Sequence, residues 1–134
     1  MPIARGLAAS LAVAVIGLVA ARRWVDAVEV RGSSMAPALL PGDRLLVVRR
    51  RGPIRRGDVV LALDPRDAAR ELVKRVDAVT DAGVVLRGDH AALSTDARTF
   101  GALPASAVTW RAVLRYWPPG RVGQIPAAAA SEGG

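Results

Sequence analysis

The 134-residue chain has no cysteine, which excludes disulfides, thiolate nucleophiles and cysteine-based zinc sites. It has one histidine, His90, so a histidine-rich metal site is excluded as well, and no cofactor is expected. Aromatic residues make up only 4% of the chain. The net charge of +7 could draw a protein to nucleic acid or to an anionic membrane. Its arginines are spread along the chain, however, with few aromatics to stack bases and no binding motif, so no nucleic-acid partner is expected. Lysine is the last scarcity: of nineteen basic residues, only Lys74 is not arginine.

What the chain does have is one long apolar run. "GLAASLAVAVIGLVAA", between Arg5 and Arg22, holds sixteen residues without a charge and is apolar on every face, unlike a core helix. As a helix it reaches ~24 Å, short of a comfortable span, with flanking arginines able to snorkel. The expectation is an uncleaved transmembrane anchor over residues 1–24; a cleavable signal peptide is the alternative. Arg22, Arg23 and Arg31 outnumber Arg5 and the amino terminus, a bias that would hold the following segment in the cytoplasm.

After this run the pattern changes to short apolar stretches separated by Gly, Pro and Asp, which indicates a mainly β domain over residues 25–120. The expected fold is a small antiparallel sheet or barrel-like domain. Its strands are expected at Ala27–Arg31, Arg44–Arg50, Asp58–Leu63, Glu71–Thr80, Val84–Arg87 and Val108–Tyr116. "DPRDAA" reads as a connection, and "DAG" at Asp81–Gly83 as a tight turn favouring antiparallel pairing. The loop "GDHAALSTDARTFGALPAS" is long enough to suggest function. Residues 121–134 are small, polar and unpatterned, and read as a disordered tail.

In "RELVKRVDAV", side chains alternate between faces, which puts Lys74 with Leu72, Val76 and Ala78 on the apolar side. A lysine there can snorkel past a strand edge. Yet a chain that uses arginine at every other basic position could have met a plain need for charge with arginine. Only lysine can give up its proton, and an apolar setting disfavours its charged form, as a general base requires. A serine hydroxyl needs such a base, and lysine can serve without histidine. "VRGSSMAPALLPGDRLLVV" offers Ser33 and Ser34 in a small-residue turn, where hydroxyls also commonly satisfy backbone groups. Ser34, His90 and Asp96 form a rival Ser-His-Asp set, with Lys74 then a structural cation.

Four ordered stretches resemble the type I signal peptidases, membrane-anchored serine endopeptidases with a Ser/Lys dyad. They are Ser34-Met35-Ala36-Pro37 with "LLPGDRLLV", then "RRGDVVLAL", "LVKRV" and "GDHAALSTDARTFG". The resemblance covers nearly all of residues 25–117. It implies Ser34 as nucleophile, Lys74 as general base, Ser94 orienting the lysine, and Asp96 with Arg98 as a supporting pair. It also implies that Val30, Met35 and Leu39 line shallow pockets for small residues, as in Ala-x-Ala signal peptides. Gly32 stands where many members have a serine that helps bind the oxyanion, which leaves the Ser34 backbone N–H as the expected donor. His90 stands where asparagine is usual. With thirteen residues between Lys74 and Gly88, the second domain of longer members is absent.

The function so implied is removal of signal peptides from exported proteins at the cytoplasmic membrane, with a single-pass anchor, the catalytic domain on the outer face, and precursors and lipid as partners. Short members also include mitochondrial inner-membrane-type proteases and a dedicated protease that trims nickel superoxide dismutase, whose ending "LRYWPPGR" resembles. SOS-type self-cleaving repressors share the Ser/Lys core, but no Ala-Gly bond precedes Ser34 here. A non-enzymatic anchored β-module is the reading outside catalysis.

Overall fold

A computed structural model describes residues 2–90 and 101–127. The apolar run folds as helix α1, Pro2–Arg22. Proline suits the first helical position, where an N–H has no partner, and Arg22 complements the dipole in the last turn. Leu7, Leu11, Ile16 and Leu18 stay exposed instead of packing on the sheet. Among the described residues no helix is long and apolar enough to cross a membrane. The expected transmembrane helix is therefore corrected to an apolar helix, whose charge-free part reaches ~24 Å against a hydrocarbon core of ~30 Å.

Six strands follow: β1 (Val25–Glu29), β2 (Arg44–Arg49), β3 (Val59–Asp64), β4 (Asp67–Thr80), β5 (Gly83–Arg87) and β6 (Val108–Trp117). They form one antiparallel sheet in the order β1-β2-β6-β3-β4-β5. The sheet is open, with β1 and β5 at its edges, so the barrel-like alternative does not hold.

β3 lies between β6 and β4, and its run "VVLAL" is covered on both sides. Val59 and Leu61 enter one core cluster with Val30, Met35, Leu39, Leu45 and Val47. Val60 and Ala62 enter a second with Val76, Val84, Leu86, Leu103 and Val108. Alternation along one strand thus feeds a core on each face of the sheet. β4 begins four residues before the expected Glu71, because Asp64-Pro65-Arg66-Asp67 is a tight hairpin turn closed by Asp64. The buried Asp64 carboxylate accepts the Arg66 backbone N–H at 2.9 Å and its guanidinium at 3.0 and 3.1 Å.

Part of the expected tail is structured. Arg115 and Gly123 exchange backbone hydrogen bonds, Ile125 packs on the first cluster, and the Pro126 carbonyl accepts Arg75 at 2.9 Å. Residues 128–134 lie outside the described residues.

Candidate active site

The two core clusters leave a groove of about 460 Å³ between the end of β1 and the first half of β4. Val30, Gly32, Ser33, Ser34 and Met35 border it on one side, and Arg70, Leu72, Val73 and Lys74 on the other. Ser34 and Lys74, forty residues apart in sequence, therefore open onto the same space.

The serine turn is held at its base. The Val30 N–H donates to the Asp43 carbonyl at 2.8 Å and the Gly42 N–H to the Val30 carbonyl at 2.9 Å, which closes the loop of residues 31–42. Met35 and Leu39, 1% and 0% exposed, pin it to the first cluster. Gly32 has φ of +76°, in the left-handed region that favours glycine. A serine at this position would bear the strain that glycine avoids.

Beneath the loop lies a buried ion cluster. The Asp43 carboxylate accepts the Leu40 N–H at 2.9 Å, Arg115 at 3.1 Å and Arg121 at 3.2 Å. Arg115 also donates to the Ala38 carbonyl at 2.8 Å, inside the same loop. The end of β6, through Arg115, and the segment after it, through Arg121, are thus tied to the serine turn by charge-assisted hydrogen bonds, stronger than neutral ones.

On β4, Lys74 is 3% exposed, opposite Val60 and between Leu72 and Val76 on the apolar face, which is where alternation put it. Arg75 points to the opposite face. Its guanidinium makes a two-pronged pair with Asp89, both bonds 2.9 Å, and also donates to the Gly57 and Pro126 carbonyls. The next residue, His90, donates its backbone N–H to the Ser34 carbonyl at 2.7 Å. A short path of hydrogen bonds therefore runs from the lysine-bearing strand through Arg75 and Asp89 to the serine turn. The His90 side chain is exposed.

Ser94, Asp96 and Arg98 lie outside the described residues. Val30 and Met35 border the groove, while Leu39 is sealed in the core and does not. Sequence reasoning missed Arg75, Asp89, Asp43 and Arg115. The signal available was two arginines in otherwise alternating strands and two aspartates following Gly, in "PGD" and "RGD". Among the described residues no group of three or more His, Asp and Glu could hold a metal ion.

Comparison with known proteins gives concordant matches. The sequence profile of the family described as signal peptidase, peptidase S26, matches residues 3–81. The mitochondrial ATP-independent inner membrane protease subunit 1a of Arabidopsis thaliana is 36% identical over 130 residues, covering 78% of this chain and 77% of that protein. Mitochondrial inner membrane protease subunit 2 is 31% identical in Danio rerio, covering 69% of this chain and 64% of that protein. The Mus musculus subunit 2 is 30% identical over 69% of this chain and 67% of its own length. The profile spans the serine turn and the buried lysine, and the chain accordingly belongs to the signal peptidase family, peptidase S26, and is a serine peptidase.

Proposed function

We propose that the protein is a membrane-held endopeptidase that cleaves precursor proteins after small residues, with Ser34 as nucleophile and Lys74 as general base. The observation that carries this reading is that a partly buried serine and a buried lysine border the same groove. Neutral Lys74 takes the proton from the Ser34 hydroxyl as its oxygen attacks the scissile carbonyl. The oxyanion accepts the backbone N–H of Ser34, which meets no acceptor among the described residues. Lys74, now an ammonium, returns the proton to the leaving amine. Water then hydrolyses the Ser34 ester, with Lys74 again taking a proton, and the hydroxyl is restored. Ser94, Asp96 and Arg98 act as supports of the lysine in this scheme.

Substrate geometry follows from strand pairing. β5 pairs with β4 only from Arg75 onward, so among the described residues Arg70–Val73 has no strand partner on the side away from β3. An extended peptide laid along this edge gains backbone hydrogen bonds and passes Ser34. Val30 and Met35 form the floor and, being almost fully buried, leave room for small side chains only. Peptides with Ala at P1 and P3 should be cut about ten- to a hundredfold faster than those with Phe at P1, since overfilling a packed site costs ~1–3 kcal/mol. Equal rates would remove the basis for the pocket, and failure of an activity probe to label Ser34 would remove the nucleophile.

The relatives are named as inner membrane proteases, and α1 exposes apolar side chains from Leu7 to Val19. We place α1 in a bilayer, with snorkelling arginines and local thinning making up the difference between its charge-free length and the hydrocarbon core, and the sheet on the outer face of the cytoplasmic membrane, where signal peptides of exported precursors emerge. Retention in the membrane fraction after alkaline carbonate washing tests the placement; a soluble product beginning near Arg22 would show cleavage instead. Cutting of one defined precursor alone would favour a dedicated maturation protease.

A further inference from the structure

Arg22, Arg23, Arg49 and Arg51 collect at one corner of the fold, where α1 passes into β1. Arg22 closes the last turn of the helix, and the N–H groups of Arg23 and Trp24 donate back to Ala20 and Ala21 at 3.1 and 3.0 Å. The Trp24 carbonyl accepts the Arg49 N–H at 2.8 Å, and Arg49 Nε donates to the Arg23 carbonyl at 2.8 Å, which fastens the end of β2 to the helix exit. The Arg51 guanidinium stands 3.7 Å from the centre of the Trp24 ring, and that of Arg49 stands 5.3 Å from the Trp110 ring.

All four arginines are exposed, and Trp24 is 43% exposed. Among the described residues none of the four makes a salt bridge, whereas Arg66, Arg75, Arg87, Arg115 and Arg121 each reach a carboxylate. The nearest acid in sequence, Asp26, accepts the Ala27 N–H. Four positive charges without a counter-ion among the described residues, two of them held over indole rings, thus sit directly at the end of an exposed apolar helix.

We infer that this corner is a docking surface for the headgroups of anionic phospholipids. Tryptophan favours the boundary between hydrocarbon and water, and a guanidinium presents paired donors that match phosphate oxygens. The rings orient the guanidinium planes, so the corner offers a positioned set of donors at the depth where α1 would leave the bilayer. The inference rests on the placement of α1 in a membrane, and adds to it a choice of lipid and a fixed tilt of the sheet.

The test uses the full chain offered to a mixture of two vesicle populations, one of phosphatidylcholine and one of phosphatidylcholine with phosphatidylglycerol, separated afterwards by density. Wild type should favour the anionic population. Each arginine removed from the corner should reduce that preference about fivefold, so Arg22→Gln with Arg51→Gln should reduce it about 25-fold. Arg44→Gln with Arg87→Gln, which removes the same charge elsewhere, should change it by less than about twofold. Equal distribution of wild type between the populations, or equal loss in both double variants, overturns the headgroup surface while leaving the membrane placement standing. Absence of the chain from both populations overturns the placement of α1 as well.

Discussion

Lys74 and Arg75 are neighbours on one strand, and the pleat sends them to opposite faces for different tasks. Lys74→Arg keeps the charge and most of the bulk but cannot be deprotonated, so peptide cleavage should fall by about three or more orders of magnitude with thermal unfolding little changed. His90→Ala should keep most activity, because that residue reaches the serine turn through its backbone N–H. In wild type the rate should rise with pH, since the base acts only when neutral. An active Lys74→Arg together with an inactive His90→Ala would sink the Ser/Lys assignment. Lys74 was legible because Leu72 and Val76 flank it on one face and because no other lysine occurs. Arg75 was not legible, since a charged residue on the opposite face reads as solvated. Its partner Asp89 arrives only through the β4–β5 register, which sets Arg75 across from Arg87 and leaves Asp89 two residues further on.

At the scale of elements, the strands were legible to within a few residues, because each apolar run is bounded by turn residues. Their order was not. β6 inserts between β2 and β3, a pairing of segments that are distant in sequence, and no turn residue encodes it. The β3–β4 hairpin was hidden for another reason: Asp64 looks like a loop residue, but it is buried and sets the turn. The Arg66 guanidinium, and after it the Arg66 backbone N–H, hold the Asp64 carboxyl below its ordinary value of 3.8. A lowered carboxylate pKa stabilises the fold fully above the unfolded value, and that stability is lost as pH falls through the folded one. Asp64→Asn should therefore lower the melting temperature at neutral pH. The difference from wild type should shrink once the pH drops below 3.8. A difference that is constant across the acid range would mean that the ion pair does not set the turn's stability.

For the molecule as a whole, the end of β6 and the segment after it act as a clasp on the serine turn, through Arg115 and Arg121. Arg115 and Asp43 are both nearly buried, with side chains 8% and 3% exposed. Removing one member of a buried pair strands the other charge, so Arg115→Met should cost about 3–5 kcal/mol in urea unfolding. Replacing both partners, in Asp43→Leu with Arg115→Met, should cost less than the single change, and a cost equal to the sum of the two singles would show that they are not coupled. Strand β1 carries a further consequence. It joins the arginine and tryptophan corner at Trp24 to the groove at Glu29, and five steps of extended chain measure roughly 17 Å. With α1 in the bilayer, β1 is a ruler standing between the lipid surface and Ser34. On the proposed reading, a precursor whose own apolar segment occupies the same bilayer would have to climb that height before its scissile bond met Ser34, which takes about five extended residues at ~3.3 Å each. Under the proposed placement, the distance between a precursor's last buried residue and its cleavage site would be set by the length of the first strand.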